Sequence, residues 1–343
     1  DGIRDSSTSR GLGDVYKRRE KQQSRDCRIV CGYEAGCLGY SLYHQLHAHG
    51  IDCVILAPTT MMTKPGKRIK TDRRDARLIS KCLAFHTYSS VYIPTEVDDA
   101  VKEYIRMRDD ANSALARVKQ QIIAFCIRHG KIHDGKSYWT NKHLEWLSSL
   151  DLGNKILSEV LQEYLIRYYQ LREQVDMYDM RINELAQAEP YRQKVEKLGC
   201  FRGIAAHTAL SFCVEVGDFR RFATAQQFAS YLGLVPGECS SGDKQQYTGI
   251  TKAGNSHLRK LLVETAQVFG RSATKSGKSV ALKERQAKCD SLTVAYADKA
   301  NARLKKKYFK IAMRSKVNIA KTAVAREMAC FIWGMMTDNI SCA

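Results

Sequence analysis

The sequence predicts an α/β domain with a parallel sheet over residues 1–130, a helical connector over 131–190 and a mainly helical last domain over 191–343. Three observations carry this. Two short apolar runs, Cys27–Tyr33 and Asp52–Leu56, flank a helical stretch, the order of a parallel strand pair with its crossover. From Leu157 to Leu185 apolar residues recur at alternating spacings of four and three, the pattern of a helical seam. After Pro190 apolar helical stretches alternate with glycine turns, and little reads as strand.

The polar start is followed by a basic stretch, Leu12 to Gln23, that reads as a helix. Cys27 to Tyr33 is a strand ending at Glu34, and Ala35-Gly36 leads into a helix from Leu38 to His49, closed by Gly50. Asp52 to Leu56 is the second strand, stopped by Pro58. A basic loop, Thr63 to Ile69, precedes a helix from Thr71 to Ala84, with Thr71 as its N-cap. Val91 to Ile93 reads as a third strand before Pro94.

Glu96 to His129 forms one long helix with Val101, Tyr104, Ile105, Leu115, Val118, Ile122 and Phe125 on its apolar side. The seam helix follows: Leu157, Leu161, Tyr164, Tyr168, Leu171, Val175, Tyr178, Ile182 and Leu185. Its partner is either the preceding helix or a second copy of the chain in a coiled coil. Lys197 to Val216 reads as helix, glycine turn, helix. This is either a helix-hairpin-helix unit that offers amides to phosphates or a plain packing unit.

A formal charge of +19 over 343 residues points to a polyanionic partner, nucleic acid before membrane. Residues 271 to 326 carry 16 Lys and Arg against only Glu284, Asp290 and Asp298, so the basic surface is local. The 12 cysteines include no C-x-x-C pair and many lie in apolar runs, the usage of reduced, buried thiols in a cytoplasmic protein. Neither a signal peptide nor a membrane span is expected; the apolar run Ala329–Met336 is too short to cross a bilayer.

Candidate chemistry concentrates in two stretches. Asp72 and Asp75 fall on one helix face inside a run of cations, Lys64, Lys67, Arg68, Lys70, Arg73, Arg74 and Arg77. Such a run is either a solvated surface or a place where cations hold phosphates and carboxylates hold a hard divalent metal. Glu34, at the carboxyl end of its strand, is either an ordinary exposed residue or a third ligand. In the last domain Ser240 and Ser241 lie in a small-residue loop, with Lys244, Lys252 and Arg259 nearby. The serine is either a turn residue or a nucleophile toward phosphodiesters.

Together these stretches resemble a known family. Tyr33-Glu34-Ala35-Gly36, Gly39-Tyr40, Ala57-Pro58, Lys64-Pro65-Gly66 and Lys70-Thr71-Asp72-Arg73-Arg74-Asp75-Ala76 resemble the N-terminal domain of the DEDD transposases of insertion-sequence family 110, particularly its 1111 subgroup. Phe228-Ala229-Ser230-Tyr231-Leu232-Gly233-Leu234-Val235-Pro236, Ser240-Ser241-Gly242, Gly249-Ile250-Thr251-Lys252-Ala253-Gly254-Asn255-Ser256 and Ala323-Val324-Ala325-Arg326-Glu327 resemble its second domain. The resemblance implies a RuvC-like, ribonuclease-H-type domain with four acidic ligands for Mg²⁺ (or Mn²⁺), a coiled-coil spacer and a serine nucleophile. It also implies DNA and an element-encoded noncoding RNA as partners, and homo-oligomers. Glu34, Asp72 and Asp75 take the second to fourth acidic places, and Ser241, which precedes Gly242, takes the serine's, with Ser240 in reserve.

The family's first Asp, on an opening strand, has no counterpart among Asp1, Asp5, Asp14 and Asp26. The expectation is a domain incomplete at its N-terminus that binds nucleic acid but recombines it poorly or not at all. Two other readings remain: a catalytically decayed nucleic-acid-binding remnant, and a RuvC-like junction nuclease that uses metal and water only.

Overall fold

The structure is a computed structural model that describes residues 30–36, 39–58, 61, 71–238, 246–271 and 277–340. The expected basic helix at 12–23 lies outside these residues. The chain divides into two compact units, 1–93 and 94–343.

In the first unit β1 (Val30–Glu34) and β2 (Asp52–Leu56) run parallel, in a register that sets Val30 beside Asp52 and Glu34 beside Leu56. Helix α1 (Ser41–Ala48) joins them and buries Leu46 against Ile51 and Cys53. The expected third strand at Val91–Ile93 does not form. Only Ser90 bridges Leu56, antiparallel, with Ala57 N–H donating to Ser89 O and Val91 N–H to Ile55 O. Pro94 supplies no N–H and confines the residue before it, which cuts the ladder short.

Helix α2 (Asp72–Phe85) starts after Thr71, whose extended backbone fits an N-cap although its side chain makes no capping bond. Asp72 and Asp75 fall in the first turn, where carboxylates complement the helix dipole. The helix leans on β1 through its C-terminal half: a Cβ at Gly32 would stand 2.9 Å from Leu56 Cδ1 and 3.0 Å from Leu83 Cδ1. Gly32→Val is therefore expected to overpack this contact and cost about 1–3 kcal/mol, read as a lower urea midpoint.

In the second unit two helices of 33 residues each, α3 (Glu96–Arg128) and α5 (Lys155–Gln187), lie along one another. Leu115, Val118, Ile122 and Phe125 of α3 pack with Leu161, Leu165, Tyr168 and Val175 of α5. Leu157, Tyr164 and Leu171 line the same seam. The heptad pattern thus finds its partner within the chain. Helix α4 (Asn141–Ser148) closes one end of the pair with Trp146 and Leu147, together with Trp139 before it. Arg108 locks α3 to α5, with Nε 2.7 Å and Nη2 3.0 Å from the two oxygens of Asp179.

The larger core gathers α6 (Arg192–Gly199), α7 (Ala206–Val216), α8 (Ala225–Tyr231), α9 (Ser256–Gly270), α11 (Ser291–Ala312) and α12 (Val317–Met336), while α10 (Val280–Gln286) is tied to the end of α6 through Arg285 Nε donating to Gly199 O. Phe201, Phe212, Phe228, Phe269, Leu304, Met328 and Ile332 are wholly buried in it. The apolar run at Ala329–Met336 belongs to this core helix, and no described helix is long and apolar enough to cross a membrane. The α6–α7 turn packs inward. A Cβ on Gly203 would stand 2.9 Å from Thr265 Cγ2 of α9, and Arg202 N–H donates to Asn301 Oδ1 at 2.9 Å. That amide serves packing, which favours the plain packing reading of the glycine turn.

Candidate active site

Glu34 is exposed at the carboxyl end of β1, Asp72 is exposed and Asp75 half-buried on α2. Three residues apart on a helix, the two aspartates share a face. Leu83 lies over Gly32, and Asp75 is eight residues before Leu83, about 12 Å along the helix at 1.5 Å per residue. Glu34 is two residues past Gly32 on the strand. Among the described residues no group of three or more His, Cys, Asp and Glu side chains is arranged to hold a metal. The structure therefore provides hard oxygen donors, two of them on one helical turn, but does not draw Glu34 and the aspartate pair into one cluster. Arg73 and Arg74 are exposed beside the pair, whereas Lys64, Lys67, Arg68 and Lys70 lie outside the described residues.

Ser240, Ser241 and Lys244 also lie outside the described residues, but the hairpin that carries them is described on both sides. Strands β3 (Pro236–Glu238) and β4 (Tyr247–Ile250) pair antiparallel, Pro236 with Ile250 and Glu238 with Tyr247. Below the strands the legs stay joined. Thr251 N–H donates to Val235 O at 2.9 Å, Lys252 N–H to Gly233 O at 3.1 Å and Asn255 N–H to Tyr231 O at 2.9 Å. Arg259 Nη1 donates to Leu232 O and Ala253 O at 2.9 and 3.0 Å, one contact on each leg. Its guanidinium thus braces the hairpin from within. Lys252 is exposed, with φ at 56°.

Behind the hairpin is an ionic network that the sequence reading missed. Glu215 of α7, its side chain 7% exposed, accepts from Asn255 Nδ2 at 3.0 Å and lies 3.2 Å from Arg106 Nη2 and 3.3 Å from His257 Nδ1. His257 Nε2 is 2.8 Å from Asp109 Oδ2, and His207 Nε2 is 2.9 Å from Asp109 Oδ1. Arg108 Nη1 adds a contact of 3.2 Å to Asp109. The chain of charges crosses α3, α7 and α9 and borders a cavity of about 260 Å³ that Arg108, Asn112, Lys260 and Glu264 also line.

Burial opposes charge on Arg108, Asp109, Glu215 and His257, and their partners outweigh it. Hydrogen bonds from His257 and Arg108 and the close approach of His207 hold the Asp109 carboxyl far below the usual carboxylate range. Glu215 is lowered to about 2 by His257, Arg106 and Asn255. His257 is pushed up to about 9 by Asp109 and Glu215. At neutral pH the site therefore holds an imidazolium between two carboxylates. One signal in the sequence could have found it: Asp109-Asp110 interrupts the long helix between Ile105 and Leu115, where acids without partners would be costly.

On α11, Lys299, Arg303, Lys306 and Lys310 recur at spacings of four, three and four and form an exposed stripe, continued past the helix by Arg314 and Lys316. Arg303 and Lys307 pair with Glu327 of α12, which fixes part of this surface. The described cysteines are all free, and burial raises the thiols of Cys53, Cys200 and Cys213 to about 11, 12 and 12. They are packing residues in the thiol form.

Comparison with known proteins accounts for both units. Residues 4–127 match the DEDD transposase family of IS110, and residues 196–286 match the family described as Transposase IS116/IS110/IS902. A putative transposase, y4qE, of Sinorhizobium fredii is 36% identical over 307 residues, 89% of this chain and 75% of that protein. The transposase for insertion sequence element IS1533 of Leptospira borgpetersenii is 34% identical over 287 residues, 82% of this chain and 81% of that protein. The transposase for IS1111A of Coxiella burnetii is 26% identical over 270 residues, 74% of this chain and 71% of that protein. With both units matched in order and relatives aligned across most of its length, the chain belongs to the IS110 family of DEDD insertion-sequence transposases, enzymes that cleave and transfer DNA.

Proposed function

We propose that this transposase moves its element by a serine-linked recombination guided by a structured RNA that the element encodes. The observation that carries the reading is the hairpin around residues 239–245, whose legs are braced by Arg259 and by three backbone hydrogen bonds. A nucleophile gains most from such fixing, because a displaced attacking atom loses the benefit of orientation. Ser241 Oγ attacks the scissile phosphorus, its proton is lost, and the bond to the leaving sugar oxygen breaks as that oxygen takes up a proton. The resulting phosphoserine retains the phosphodiester's energy until the hydroxyl of a second DNA end displaces Ser241.

By the family resemblance Glu34, Asp72 and Asp75 are the residues that would hold Mg²⁺ (or Mn²⁺); their hard oxygens suit that ion, although among the described residues the three are not gathered into one cluster. Bound there, the metal would act as a Lewis acid that offsets charge on the scissile phosphate. Arg73, Arg74, Lys244 and Lys252, with the flanking Lys64, Lys67, Arg68 and Lys70, are suited to phosphate contacts. The stripe from Lys299 to Lys310 is suited to the backbone of DNA or RNA. Homo-oligomers are supported by a second, outward row on α5, where Ile166, Tyr169, Met177 and Met180 are 49%, 45%, 54% and 67% exposed.

The test is a trapped covalent adduct. With element-end DNA, the element's RNA and Mg²⁺, the full chain is expected to form a protein–DNA species stable to denaturation, its phosphoserine mapped by mass spectrometry to Ser241. Ser241→Ala should abolish it and Ser240→Ala should not. An adduct that survives Ser241→Ala sinks the serine assignment, and strand transfer that survives digestion of the RNA sinks the guidance.

A further inference from the structure

The bridge from α3 to the hairpin is made at one ring. His257 has a carboxylate on each side: Nε2 hydrogen-bonds Asp109 Oδ2 at 2.8 Å, while Nδ1 lies 3.3 Å from Glu215 Oε1 in an ionic contact without hydrogen-bond geometry, so the buried Nδ1 is otherwise unpaired among the described residues. The protonated ring attracts both carboxylates by its charge; the neutral ring keeps at most its hydrogen bond to Asp109 and loses its attraction for Glu215. Glu215 in turn reaches the hairpin twice. Its side chain accepts from Asn255 Nδ2, and its backbone carbonyl accepts from Tyr231 OH at 3.3 Å. Asn255 also caps α9 through Leu258 N–H at 3.0 Å and bonds Tyr231 O through its own N–H. One side of the hairpin base thus begins at Tyr231 and the other ends at Asn255, and both are tied to Glu215.

We propose that His257, clamped between Asp109 and Glu215, is a positioning residue for the hairpin that carries Ser241, holding the first turn of α9 and the two hairpin legs in register. The inference rests on Ser241 being the nucleophile. The ring touches neither the serine's flanking strands nor the reacting atoms; it acts through Glu215 and Asn255.

The groups that face His257 are Arg106, Arg108 and Asp109 from α3, His207 and Glu215 from α7, and Lys260 and Glu264 from its own helix, with Asp179 of α5 behind Arg108. Because the folded-state pKa of His257 lies above its unfolded value of 6.5, its stabilising contribution is fully present below pH 6.5 and is lost as pH rises through about 9. The lowered carboxylates act at the other end. Glu215 keeps its contribution above its unfolded value of 4.5 and loses it as pH falls through about 2. The clamp is thus resistant to acid and opens on the alkaline side.

Amide hydrogen exchange on the full chain, expressed as protection factors so that the intrinsic pH dependence is removed, tests this directly. In the wild type the amides of Thr251, Lys252 and Asn255 are expected to lose roughly tenfold in protection between pH 7 and pH 10, while α12 amides hold theirs. His257→Gln should show the lower hairpin protection at pH 7 already, with a flat pH profile. Glu215→Gln, which keeps an acceptor for Asn255 but no charge, should fall between. Hairpin protection in the wild type that does not change from pH 7 to pH 10, or that falls together with α12, overturns the proposal, and the wild-type series decides this even where the variants fail to fold. Ser241→Ala separates the two readings. It should leave hairpin protection unchanged and abolish the covalent adduct; an adduct that persists overturns the nucleophile, and the exchange result then describes a hairpin clamp with no serine to position.

Discussion

Gly254→Ala is expected to unfold the base of the serine hairpin, at a cost of about 3 kcal/mol or more. Gly254 has φ at 72°, a region where alanine is strained by roughly 1 kcal/mol. The larger part is steric. A Cβ there would overlap the Tyr231 carbonyl oxygen and stand 3.0 Å from its carbon, the same carbonyl that accepts from Asn255 N–H. That oxygen belongs to backbone and cannot swing away, so relief requires breaking the bond that joins the legs. Gly130 supplies the control, because its φ is 69° but nothing lies within 4 Å of an added Cβ. Gly130→Ala should cost only the conformational strain, about 1 kcal/mol. Urea denaturation of the two variants separates them; equal losses would mean that crowding at Tyr231 is not what Gly254 avoids. Gly233→Ala, whose Cβ would stand 2.7 Å from both Ala253 N and Arg259 Nη1, should resemble Gly254→Ala.

What the sequence revealed divides along a physical line. Periodicity is local, and it located the helices well. The expected helix at Thr71–Ala84 is found at Asp72–Phe85, and that at Glu96–His129 is found at Glu96–Arg128. Burial on one face writes itself into the spacing of Leu157, Leu161, Leu171 and Val175, but the spacing does not say which surface covers that face. Here it is α3, which joins α5 in the second unit and does not stay with residues 1–93. The strand expected at Val91–Ile93 has the right residues for a strand and fails because pairing is non-local: its neighbour β2 offers it one bridge, and Pro94 ends it.

The site divides in the same way. Asp72 and Asp75 stood out through their setting in a run of cations, Glu34 and Ser241 through the family resemblance. Asp109, His207, Glu215 and His257 did not, because each alone is an ordinary polar residue on an amphipathic helix. Their meaning comes from contact across separations of 148 residues between Asp109 and His257 and 40 between Glu215 and Asn255. Arg259 shows the converse. Composition offers it as a phosphate ligand, and the fold gives its Nη1 to two carbonyls of the hairpin legs.

Asp109→Ala should be the most damaging single change in the ionic network. The carboxylate has three cationic or protonatable neighbours, His207, His257 and Arg108, and the half-buried helix pair offers them little water in exchange. Removing one partner of a buried charge cluster leaves the others uncompensated, and a cost of about 3 kcal/mol is expected. Arg108 keeps Asp179, so the loss should fall on the histidines. His257 would then retain Glu215 alone, and its pKa should drop from about 9 toward the ordinary imidazole value. The alkaline loss of hairpin protection would move to lower pH with it. The double variant Asp109→Leu with His257→Leu should cost less than the two single changes together, by about 1 kcal/mol or more, because the second removal deletes a charge that has already lost its hydrogen-bonded partner. Strict additivity in urea denaturation would mean that Asp109 and His257 stabilise the fold independently. A coupling that disappears when Glu215→Gln is added would instead place the three residues in one unit, with the hairpin's register its shared consequence.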